Sequence, residues 1–191
     1  VCAIDGFGDF VSTSFAAGRG SALDLQGRVY FPHSLGLLYL AVTQFLGFPK
    51  YGDEFKVMGL APYGEPRFVR ELRQLASVDA DGCVRLDLSY FSHWSSGAAM
   101  TWNDGEPEIG PVFTPKLEAL LGPRRRRGDR LDPRHEAIPA SLQAVYEECA
   151  FAVLRALHAR TRLPQLCLAG GCAMNSVANG KVRANTPFRE I

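Results

Sequence analysis

An acid and a base two residues apart, Glu54 and Lys56, stand inside the run Tyr51-Gly52-Asp53-Glu54-Phe55-Lys56-Val57-Met58-Gly59-Leu60-Ala61-Pro62-Tyr63-Gly64. Glycine permits positive φ and close backbone approach, and proline fixes its own φ, so the run reads as a constrained loop. Polar side chains on such a loop are suited to gripping a small polar ligand. In a partly desolvated cleft, a carboxylate can take the two hydroxyls of a ribose. An ammonium can hold phosphate or a developing negative charge. The alternative is that Glu54 and Lys56 pair with each other at the surface.

A second candidate lies near the end of the chain. A strand over 164–169 runs into Gly170-Gly171, and a helix is expected from about 173. Main-chain N–H groups and the positive helix end would then face the turn, which suits an anion such as phosphate. Asn175 can add both a donor and an acceptor. The competing reading is a tight turn whose asparagine caps its own helix.

Asp5 ends a buried strand just before Gly6 and Gly8. It can accept N–H bonds from the glycine turn, or bind a divalent cation. His33, His93, His135 and His158 show no metal-ligand spacing and read as surface or packing histidines. No Ser/His/Asp set, Walker lysine motif or Gly-x-Gly-x-x-Gly after a strand is present, so serine hydrolases, P-loop enzymes and Rossmann dehydrogenases are not supported.

These residues need elements to hold them. Residues 1–5 read as a buried strand, 9–16 as a second strand, and 22–31 as a hairpin turning at Gln26-Gly27; together they predict an antiparallel meander in a mixed sheet. Ser34 is placed to cap a helix over 35–46 that is apolar nearly all round and therefore buried. Helices are expected at 66–76 and 115–121, and a strand at 83–91. Residues 92–113 give no period and read as connecting loop. The strongest periodicity, through Ile138, Leu142, Val145, Cys149, Val153 and Leu157, predicts a long helix over 134–162. Helix, strand, glycine turn and helix in succession indicate a layered α/β domain.

The chain has 191 residues, 47% apolar and 21% charged, with a net charge of +1. This is globular composition, and it gives no reason to expect nucleic acid or an anionic membrane as partner. Arg124 to Arg127, between Pro123 and Gly128, read as a solvated loop. Five cysteines form no Cys-x-x-Cys pair; Cys149 and Cys167 read as buried thiols of a reducing compartment. The longest apolar run, 35–48, is too short for a bilayer and no signal peptide is seen, so a cytoplasmic location is expected. Val1 already inside a strand, and Ile191 closing what reads as a new one, suggest a chain cut at both ends.

The blocks together resemble the O-carbamoyltransferases of the NodU/CmcH family. The run 51–64 resembles that family's signature. Ile4-Asp5-Gly6-Phe7-Gly8 resembles its Asp-Gly-x-Gly strand end, Pro32-His33-Ser34-Leu35-Gly36-Leu37-Leu38-Tyr39 the helix before the signature, and 168–180 its glycine-pair nucleotide loop. Cys172 and Met174 stand where the family tends to show aliphatic residues. Residues 77–130 contribute little.

The resemblance implies a ribonuclease-H-like mixed sheet of the actin, hexokinase and heat-shock-ATPase superfamily, present as a partial domain. It implies transfer of a carbamoyl group from carbamoyl-adenylate, made from carbamoyl phosphate and ATP in a separate carboxyl-terminal domain, to a hydroxyl of a small acceptor. On this resemblance Glu54, Gly170, Gly171 and Asn175 bind the adenylate, Lys56 is catalytic, and Asp5 binds a divalent metal, iron being one candidate. The metal's other family ligands, a histidine pair upstream and a second aspartate downstream, are not among these residues, and the 191-residue stretch is expected to be inactive alone. Enzymes forming threonylcarbamoyladenosine on tRNA and hydrogenase-maturation carbamoyltransferases share much of the pattern, and an idle nucleotide-binding module is the non-enzymatic alternative.

Overall fold

The computed structural model describes every residue except Asp104. In chain order the strands are β1 (Cys2–Ile4), β2 (Val11–Arg19), β3 (Ala22–Tyr30), β4 (Ala76–Val78), β5 (Val84–Leu86), β6 (Met100–Asn103), β7 (Glu106–Ile109) and β8 (Leu168–Ala169). The helices are α1 (Leu35–Phe45), α2 (Glu54–Leu60), α3 (Val69–Leu72), α4 (His93–Ser96), α5 (Pro115–Leu121), α6 (Pro133–Thr161), α7 (Ser176–Asn179) and α8 (Val182–Asn185). The chain divides into two units, one of residues 1–36, 76–86 and 146–191, the other of residues 37–75 and 87–145.

The first unit is built on a mixed four-stranded sheet of order β3-β2-β1-β8. Strands β1, β2 and β3 are antiparallel neighbours, the meander predicted from the sequence, whereas β8 runs parallel to β1 with Cys2 opposite Leu168 and Ala3 opposite Ala169. The predicted hairpin at Gln26-Gly27 does not form. Residues 22–30 are one strand, and the register slips there because Phe15 faces Gly27 while Ala16 faces Leu25. Gln26 is the extra residue of a bulge, which a local turn signal imitates. Cys2, Ile4, Phe15 and Val29 line the buried side of the sheet, and Val153, Leu154 and Leu157 of α6 are buried in the same unit.

In the second unit every residue from Leu37 to Leu46 is buried, as the all-round apolar pattern of α1 required. Gln44 ties this helix to the chain beyond β7: its Nε2 donates to the Ile109 carbonyl at 2.9 Å and its Oε1 accepts from Val112 N at 2.9 Å. Ring packing of Phe45 against Phe113 closes the core. The helices predicted at 115–121 and 134–162 are present as α5 and α6.

Three expectations fail for local reasons. Only residues 69–72 of the stretch 66–76 are helical, since Ala76–Val78 pair with Val84–Leu86 instead. The strand predicted over 83–91 stops at Leu86, because the Asp87 carboxylate accepts the Ser89 N–H at 3.0 Å and turns the chain into a 3-10 segment. Within 92–113 the pairing of β6 with β7 replaces the expected loop; all four β6 side chains are exposed, so no buried face imprinted a period on the sequence. Cys149 is buried as expected, but Cys167 is exposed. Among the described residues no helix is long and apolar enough to cross a membrane.

Candidate functional site

In the first unit, the parallel pairing of β1 and β8 brings their carboxyl ends side by side. Asp5 follows β1 and Gly170-Gly171 follows β8, the position at which α/β sheets characteristically bind ligands. The approach is close enough to demand glycine. A Cβ on Gly170 would lie 2.2 Å from the Ile4 carbonyl oxygen, and Gly170 has φ +80°. A Cβ on Gly171 would lie 3.2 Å from Asp5 Oδ1. The structure thus joins two sequence-predicted pieces 165 residues apart in number, the Asp-Gly strand end and the glycine pair.

Asp5 is exposed, and its Oδ1 accepts the Gly6 N–H at 2.8 Å, the glycine-turn bond expected from sequence. The Ser34 hydroxyl donates to the Asp5 carbonyl at 2.7 Å, so Ser34 fastens this turn to the start of α1. Gly36 completes the contact, since a Cβ there would meet Gly6 Cα at 2.7 Å.

Beyond the glycine pair the expected helix is broken into a 3-10 turn over Gly171–Met174 followed by α7 and α8, four residues each. A long helix dipole is therefore not part of this site, and what the turn can offer an anion is its amides. Asn175 caps α7: its Oδ1 accepts the Ala178 N–H at 3.0 Å. Asn179 Nδ2 donates to the Ala173 carbonyl at 2.7 Å, and the Tyr146 hydroxyl donates to the Cys172 carbonyl at 3.2 Å. These side chains fix the shape of the glycine turn. Tyr146 was missed in the sequence because it sits within the apolar stripe of α6 and looks like core.

In the second unit, the run 51–64 is not a loop. Gly52, at φ +86°, leads into α2, and a 3-10 turn over Ala61–Tyr63 follows. Lys56 does not pair with Glu54. It pairs at 2.6 Å with Asp53, which is 5% exposed and also accepts the Lys50 N–H at 3.2 Å. The ammonium lies 5.7 Å from the ring centres of both Phe48 and Phe55. Asp53 is thus the anchor that the sequence reading overlooked; its spacing of three from Lys56 was the available signal. Glu54 is half-buried, and burial, helped by the neighbouring Asp53 charge, raises its carboxyl pKa above the ordinary value despite a backbone hydrogen bond. A carboxylate of this kind gains from hydroxyl donors that would replace lost water.

The arrangement does not by itself make a metal centre. Asp5 supplies one carboxylate, already engaged by Gly6, and among the described residues no three His, Cys, Asp or Glu side chains gather to hold an ion.

The first unit is a mixed α/β fold with a carboxylate and a glycine turn at adjoining parallel strand ends. The chain belongs to the carbamoyltransferase family: the family model described as carbamoyltransferase N-terminus matches residues 1–191. Over the full chain it is 37% identical to nodulation protein NolO of Bradyrhizobium diazoefficiens and 35% identical to nodulation protein NolNO of Sinorhizobium fredii. It is likewise 39% identical to uncharacterized protein sll1178 of Synechocystis sp.. The chain spans 31%, 25% and 29% of the lengths of these three relatives, in that order.

Proposed function

We propose that this chain takes part in transferring a carbamoyl group from carbamoyl-adenylate, formed from carbamoyl phosphate and ATP, to a hydroxyl of a small-molecule acceptor. The observation that carries this reading is the juxtaposition of Asp5 with Gly170-Gly171 at the ends of β1 and β8. Family membership favours carbamoyl chemistry. The strand order β3-β2-β1-β8 supports, as the finer fold, a ribonuclease-H-like sheet of the actin, hexokinase and heat-shock-ATPase superfamily.

Carbamoyl-adenylate is a mixed anhydride with a good leaving group, so the protein's task is positioning and charge stabilisation. The acceptor oxygen bonds to the carbamoyl carbon, the bond from that carbon to the phosphate oxygen breaks, AMP departs with the electron pair, and the hydroxyl proton passes to water. Amides of the glycine turn receive phosphate oxygens, and the Asn175 amide adds a donor. Glu54 is assigned the ribose hydroxyls, and Lys56 the stabilisation of negative charge, on the family resemblance. A divalent metal at Asp5 would need further ligands.

The test is calorimetric titration of the full-length protein with ATP. Asn175→Asp keeps an oxygen to cap α7 but removes the amide donor and adds charge; it should weaken binding about tenfold or more, the size of a hydrogen bond to a charged group. Glu54→Ala should weaken binding too. Unchanged affinity in both variants would refute the assignment.

A further inference from the structure

Beside Asp5 the chain does something costly and unexplained by packing. Gly8, Asp9 and Phe10 all have positive φ, at 58°, 46° and 78°. Glycine and aspartate visit this region comparatively readily, but the bulky Phe10 does not, so its conformation must be held by its surroundings. The Phe10 carbonyl accepts the Phe31 N–H at 2.9 Å, and the Val11 N–H returns to the Gly8 carbonyl. The result is an outward-facing ring: Phe10 is 76% exposed.

That ring is not isolated. Phe31 meets Phe10 edge-on at 6.5 Å between centres and stacks on Phe7 at 6.5 Å, giving a three-ring cluster. Gly8 lies beside the candidate site, since a Cβ there would stand 3.6 Å from Asp5 Cβ. Asp9 is exposed next to Phe10. An exposed aromatic ring with an exposed carboxylate next to it in the chain suits a saturated ring with one C–H face and hydroxyls at its edge. The aromatic ring would take the C–H groups, and the Asp9 carboxylate would accept an O–H group.

We propose that Phe10, with Asp9, is a specificity-determining subsite that seats a hydroxylated saturated ring of the acceptor beside Asp5. This rests on the carbamoyl-transfer reading for the acceptor's presence there, but its binding test does not require turnover.

The experiment is saturation-transfer NMR on the full-length protein with methyl β-D-glucopyranoside as probe, with AMP titrated separately into the same preparations. Wild type and Phe10→Trp should transfer saturation to the probe's ring protons. Phe10→Ala should lose roughly three- to tenfold of it, the scale of an aromatic face contact. Asp9→Asn should also reduce it, while all variants keep wild-type AMP affinity. Absent transfer in wild type, or transfer undiminished in Phe10→Ala, overturns the subsite. Loss of AMP binding in wild type would strike the adenylate reading instead, leaving a Phe10-dependent signal to support the subsite alone.

Discussion

Replacing Gly170 with alanine probes the contact on which the site is built. The new methyl carbon would stand 2.2 Å from the Ile4 carbonyl oxygen and 2.7 Å from its carbon, against a backbone at φ +80°. Close C···O approaches in proteins stop at about 3.3 Å, so β8 would have to withdraw from β1 by about 1 Å. Left-handed strain on a non-glycine residue costs about 1–2 kcal/mol, and overpacking of a tight contact about 1–3 kcal/mol. Gly170→Ala should therefore lower stability by about 2–5 kcal/mol. Gly20→Ala in the same unit is the control: φ is +59° but nothing lies within 4 Å of the added carbon, so only the strain of about 1–2 kcal/mol applies. Urea denaturation of both variants at matched slope reads the difference directly. If Gly170→Ala proves no worse than Gly20→Ala, the two strand ends do not meet as described.

Other outcomes follow from single side chains. The raised Glu54 pKa means the folded state holds that proton more tightly than the unfolded chain, so its contribution turns against folding as pH rises through and above the ordinary value of 4.5. Glu54→Gln should therefore match wild type in thermal stability near pH 4 and exceed it at pH 7; equal stabilities at both would contradict the burial of this carboxyl. Thiol labelling under native conditions should reach exposed Cys167 first and spare Cys2 and Cys149, whose thiols burial pushes up to about 12 and about 11. Prompt labelling of Cys2 without unfolding would be inconsistent with its place in the sheet. Lys56→Ala strands the buried Asp53 carboxylate without its cation, whereas Lys116→Ala removes a partner from an exposed Asp87. The first should lower the urea midpoint clearly more than the second.

What could be read from sequence was whatever burial had written into it. The all-round apolar 35–46 run and the stripe from Ile138 to Leu157 gave α1 and α6, because each buries a continuous surface. Asp5 and Gly170-Gly171 were separately legible as strand ends, but their meeting depends on parallel pairing across more than 160 residues, which no local pattern encodes. Side chains that act on main-chain groups were hidden. Tyr146 looks like core until its hydroxyl reaches the Cys172 carbonyl, and Asp53 was masked by the more conspicuous Glu54 and Lys56. Strand β6, exposed along its whole length, presents no buried face that could have written a period into the sequence.

The most direct measurement is an amide NMR titration of the full-length protein with AMP and, in parallel, with adenosine, which lacks the phosphate. Phosphate held at the glycine turn would shift the backbone resonances of Gly171 and Cys172 with AMP and leave them in place with adenosine. Binding of AMP that moves other amides while residues 170–175 stay still would contradict it.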